Sequence, residues 1–86
     1  MNSMRATNIR RAILDILERA QPFALPEGQL TVELNGAVRP PSGAAEMDEE
    51  LLFLQSRGYV TTIPDPLDER LVKWAITEAG RTMLRQ

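Results

Sequence analysis

The chain contains no cysteine and no histidine among its 86 residues. The first absence excludes a disulfide framework and thiolate chemistry. Together they remove the usual zinc sites, the Cys–His and Ser–His pairs and the commonest general base. A carboxylate-only cation site on Asp65 and Asp68 would need further converging oxygens. No enzyme activity, cofactor or metal centre is therefore expected. Long apolar runs are also missing, since nothing approaches the ~20 residues of a membrane span. The N-terminus MNSMRATNIRR lacks the apolar centre of a signal peptide. A cytoplasmic protein without membrane contact is the expectation. Aromatics amount to 5% of the residues, so Trp74 and Tyr59 are expected to pack the core and hairpin, where a small domain needs their area.

What is present suits one small domain spanning residues 1–86. Hydrophobic residues make up 43% and charged residues 26%, enough for a core and too apolar for a disordered tail. A chain of this length buries only about 60–65% of its unfolded surface, so its stability is modest. The net charge of −2 is unevenly spread. Residues 1–20 carry Arg5, Arg10, Arg11 and Arg19 against Asp15 and Glu18, a balance of +2. Residues 46–58 carry Glu46, Asp48, Glu49 and Glu50 against Arg57, a balance of −3.

Ile9, Ile13, Ile16, Leu17 and Ala20 recur at helical spacing, predicting a first helix from Asn8 to Ala20, capped by Thr7 or Asn8 and stopped by Pro22. The segment around LTVELNG reads two ways. Pro26 at a first helical position and Leu30, Leu34 and Val38 at intervals of four favour a short second helix ending near Asn35 or Gly36. Thr31, Val32 and Asn35-Gly36 equally suit a strand entering a hairpin turn. The helix is preferred because it completes a helical trio. Ser42 is placed to cap a third helix running to about Arg57, with Ala44, Met47, Leu51 and Leu54 on its inner face and Leu52 beside them. Glu46, Glu49, Glu50, Phe53 and Arg57 are assigned to the opposite side, and Gly58 ends the helix. Tyr59 to Ile63 and Leu71 to Ile76 then form an antiparallel hairpin with a loop of about seven residues, because Pro64 and Pro66 interrupt strand structure. Thr77 caps a closing helix.

The expected fold is α+β: three helices, a two-stranded wing and a short C-terminal helix. Here LLFLQSRGYV, DPLDER and WAITEAGRTML resemble the second half of MarR-type winged helix-turn-helix regulators. Asp65, Asp68 and Arg70 match the wing pattern, and Thr77, Gly80 and Arg81 match the start of the closing helix. A second likeness, to small winged-helix proteins of Mu-like prophages, lies in the first helix and the leucine-rich third. The MarR resemblance implies a regulatory role in transcription through DNA binding. That family dimerises through added helices at both termini, and this chain offers almost nothing beyond its own core elements, so a monomer or weak homodimer is expected.

Two functional readings follow. In a winged helix that binds DNA, the third helix enters the major groove. The DNA-binding candidates are Arg70 and Lys73 in the wing, Arg10, Arg11 and Arg39 (with Arg5 beside them), and Ser42 at the start of the third helix. Against this, the acids at the start of that helix lack the bidentate donors of direct readout and repel phosphate. The alternative is a protein-interaction module in which Glu46, Glu49, Glu50 and an exposed Phe53 meet a partner. A solvated acidic face, and an Asp–Arg70 pair that merely stiffens the wing, are the plain structural alternatives. The sequence leads to a regulatory module with weak or partner-dependent DNA binding.

Overall fold

The computed structural model describes residues 3–86. Its elements are α1 (Ser3–Ala20), β1 (Leu25–Pro26), α2 (Glu27–Ala37), α3 (Ala44–Ser56), β2 (Val60–Asp65), β3 (Asp68–Ile76) and α4 (Glu78–Leu84). Ile9, Ile13 and Leu17 fall four residues apart on α1 and are wholly buried, together with Leu30 and Leu34 of α2 and Leu51 and Leu54 of α3. Each such side chain contributes roughly 1.5–3 kcal/mol relative to exposure. Helix α1 is the hub, packing against α2, α3, α4 and β3. It begins at Ser3, five residues before the predicted start, and this added stretch brings Arg5 against α3.

The ambiguous LTVEL segment is helical, and the exposure of Val32 distinguishes the two readings. A strand would put Leu30, Val32 and Leu34 on one face. The helix buries both leucines and leaves Val32 68% exposed. Thr31 adapts to it by donating its hydroxyl to the Glu27 carbonyl.

Gly43 stands at the N-cap of α3 and supplies no side-chain cap. Ser42 is buried and donates its hydroxyl to Asn35 Oδ1 instead. The helix ends in a Schellman motif. Gly58 adopts φ +77°, its N–H bonds the Gln55 carbonyl, and the Tyr59 N–H bonds that of Leu54.

The sheet has three strands in the order β1-β3-β2. The hairpin register pairs Val60 with Ile76, Thr62 with Trp74 and Pro64 with Val72. Pro64 is therefore tolerated inside a strand, because β2 lies at an edge and needs no outward N–H. The turn is also tighter than predicted, with Asp65 paired to Asp68 after an irregularity. Strand β1, missed in the sequence, pairs Leu25 with Trp74 and Pro26 with Lys73. It is too short to carry a period. The Trp74 indole N–H donates to Glu27 Oε1 at 3.1 Å and ties the sheet to the start of α2. Thr77 caps α4, its hydroxyl accepting from the Gly80 N–H.

Candidate nucleic-acid interface

Helix α3 divides its charges between two faces. Met47, Glu50, Leu51 and Leu54 are all buried, at the i, i+3, i+4, i+7 spacing of one helical stripe. Glu50 thus occupies a core-facing position and not the outer side predicted for it. Its carboxylate accepts from Arg10 Nε at 2.6 Å, with the Glu50 side chain only 8% exposed. A buried carboxylate requires such a partner. One turn earlier, Glu46 takes two bonds from Arg5, Nε to Oε2 at 2.7 Å and Nη2 to Oε1 at 2.9 Å. Arg5 also donates to the Pro40 carbonyl.

These pairs change the standing of several candidates. Arg5 and Arg10 are met by the acids of α3. Phe53 is half-buried against the core, not exposed as predicted. The guanidinium groups of Arg10, at 3.6 Å from the ring centroid, and Arg57, at 4.8 Å, both lie over its ring. Leu52, expected beside the core face, is 63% exposed. Ser42 is buried, with its hydroxyl bonded to Asn35.

The outer face of α3 consists of Ala45, Asp48, Glu49, Leu52, Gln55 and Ser56, all exposed. No lysine or arginine occurs between Ala44 and Ser56. Arg39, in the turn between α2 and α3, is exposed and holds the Asn35 and Val38 carbonyls through Nη1. Arg11 is exposed on α1.

In the wing, Arg70 is 90% exposed yet grips Asp68 through Nε and Nη2. The Arg70 backbone N–H also donates to Asp68. Asp65 accepts from the Leu67 N–H and fixes the turn. Lys73 is half-buried and lines a shallow hollow with Glu27, Asp65 and Arg70. The wing cations therefore stand among acids.

The Arg5 side chain holds the Glu46 carboxyl below the ordinary carboxylate range, and Arg70 does the same to Asp68. The partner Arg5 is raised by its bond to Glu46. A carboxyl whose pKa falls on folding stabilises the fold above its unfolded pKa. That contribution is lost as the pH drops through the folded value. Glu46→Gln mimics the protonated acid. Thermal unfolding scanned against pH is expected to show the variant melting below wild type at neutral pH, with the two curves converging at the acid end. A gap that persists in acid would assign the effect to packing instead.

No protein-family model matches the sequence, and no curated protein matches it. Solved structures do. A MarR transcription factor from Planctomyces limnophilus superposes with a TM-score of 0.74 at 23% identity, over 90% of this chain and 50% of that one. The fold is a winged helix-turn-helix of the MarR type. A probable transcriptional regulator from Pseudomonas aeruginosa gives 0.72 at 25% identity, over 90% of this chain and 52% of its own. Streptococcus pneumoniae FabT, solved in complex with DNA, gives 0.71 at 21% identity, over 88% and 48%. This winged helix spans about half the length of the structures it matches. The likeness to Mu-like prophage proteins finds no support among these neighbours. The first of them is a transcription factor and the second a probable transcriptional regulator. Among the described residues no three His, Cys, Asp or Glu side chains are grouped to hold a metal ion, and no helix is long and apolar enough to cross a membrane.

Proposed function

We propose that this chain is a regulatory winged-helix module whose own contact with duplex DNA is weak, so that occupancy of a DNA site depends on a partner. The observation that carries this reading is the outer face of α3, where Asp48 and Glu49 stand with no cation from Ala44 to Ser56. In a winged helix this is the surface that enters the major groove. Two carboxylates there add repulsion and remove counterion-release gains. The winged-helix neighbours, one solved with DNA, support a role in transcription. At the turn before α3 and in the wing the exposed cations are Arg39 and Arg70, with Lys73 half-buried beside them. Two phosphate contacts suit non-specific binding near or weaker than ~10⁻⁴ M at physiological salt.

A second reading, a protein-interaction module without DNA binding, is favoured by a different observation. Val32 is 68% and Leu52 63% exposed on the two helices of the motif, and Leu52 shares its face with Asp48 and Glu49. Fluorescence anisotropy with a labelled generic duplex at low salt separates the two. Weak binding, reduced several-fold by Arg39→Ala combined with Arg70→Ala, is the expected result. Binding untouched by that pair would refute the wing and turn as the contact. No binding even at hundreds of micromolar protein would leave the interaction module.

A further inference from the structure

Away from α3's outer face, a hollow of about 240 Å³ opens where α1, the end of α3 and α4 meet. Its floor is apolar, built from Leu14, Phe53, Tyr59 and Leu84, and Arg11 and Arg57 stand at its rim. No carboxylate lines it. Arg10, which also borders it, has its charge answered by Glu50 on the inner side. Arg11 and Arg57 have no carboxylate within ion-pair distance among the described residues. Phe53, with the guanidinium groups of Arg10 and Arg57 both over its ring, gives the floor an aromatic wall. In a chain of net charge −2, an apolar hollow whose charged lining residues are all cations is a distinct local feature.

Size and charge together select the occupant. Pockets that enclose a drug-sized ligand measure about 300–1,000 Å³. This one is smaller and open on one side, the scale at which a single bulky side chain anchors a longer segment. Arginines at the rim favour carboxylates on either side of that anchor, because their planar donors fit carboxylates and their own charges are unanswered. We propose that this hollow docks an acidic segment of a partner protein, which inserts one aliphatic or aromatic side chain between flanking carboxylates that pair with Arg11 and Arg57. The site lies apart from the outer face of α3, so it stands whether or not that face meets DNA.

Amide chemical shifts of the whole chain, titrated with an acidic octapeptide bearing a central Leu-Phe pair, test the proposal. Saturable shifts are expected around Arg11 and Leu14, from Phe53 to Tyr59, and at Met83 and Leu84. Replacing Leu-Phe by Ser-Ser in the peptide is expected to weaken binding at least tenfold, and this arm is independent of any effect on folding. Arg11→Glu with Arg57→Glu is expected to do the same. Each of four outcomes would overturn the proposal. These are no localised shifts at millimolar peptide, equal binding by the charge-reversed variant, equal binding of a lysine version of the peptide, and saturation by hexanoate as tightly as by the peptide. The last would reassign the hollow to a small amphipathic acid.

Discussion

Gly80→Ala is expected to destabilise the protein by about 3 kcal/mol, at the upper end of the ordinary cost of overpacking. Gly80 is buried in the first turn of α4. A Cβ there would run into the Tyr59 carbonyl oxygen and would stand 2.8 Å from Ile76 Cγ1. The obstacle is backbone that cannot step aside. The Tyr59 carbonyl accepts from the Thr77 N–H, and the Gly58 carbonyl accepts from the Thr77 hydroxyl at 2.6 Å. The Schellman bonds behind them fix both residues to α3. Alanine's better helix propensity, worth up to about 1 kcal/mol, does not offset this. A domain of this size loses roughly 4–8 °C in melting temperature per kcal/mol, so calorimetry is expected to show a fall of about 12–24 °C. Gly36→Ala is the internal control, since a Cβ there meets nothing within 4 Å. It lies within a helix and is expected to raise stability by about 0.5–1 kcal/mol. Equal behaviour of the two variants would refute the close-packing account of Gly80.

The second large effect concerns charge. Asp48→Lys combined with Glu49→Lys is expected to tighten binding to generic duplex at low salt by tenfold or more. Both side chains are exposed on the outer face of α3 and neither is in an ion pair among the described residues, so the fold is expected to tolerate the change. The variant replaces two repelled contacts by two counterion-releasing ones, steepening the slope of log K against log salt by about 1.8. Anisotropy titrations at several salt concentrations measure both quantities. An unchanged affinity would mean that α3 does not approach DNA at all, and would favour the interaction module.

The motif that made the fold legible in the sequence has a physical basis in this structure. Gly58 supplies the left-handed turn that ends α3, Thr77 caps α4 and bonds back to Gly58, and Gly80 lets α4 close on Tyr59. These residues knit three elements at one point, which is why Gly-aromatic-Val and Thr-x-x-Gly signal the architecture. The alternation of Val72, Trp74 and Ile76 gave β3 its inner face for the same kind of reason. Strand β1 was invisible because two residues carry no periodicity. Its existence depends on the Trp74 backbone being free to pair.

The candidate site was legible in composition and not in arrangement. The surplus of acid on α3 was plain, but its division between two faces was not drawn. The spacing of Glu50 with Met47, Leu51 and Leu54 could have placed it inward, since those positions form one stripe at 100° per residue. That Arg5 and Arg10 would answer Glu46 and Glu50 depends on how α1 crosses α3, a tertiary fact with no local signal. The rim of Arg11 and Arg57 around Phe53 likewise exists only once α1, α3 and α4 are assembled.

The proposed weakness of the chain's own DNA contact is tested most directly by the salt dependence of wild-type binding to generic duplex. Contacts limited to Arg39 and Arg70 predict a shallow slope, about −1.8 for two phosphates, with dissociation constants of tens of micromolar or weaker even at low salt. A slope of about −5 or steeper with sub-micromolar binding would contradict the account, because it would require a cationic reading face that α3 does not have.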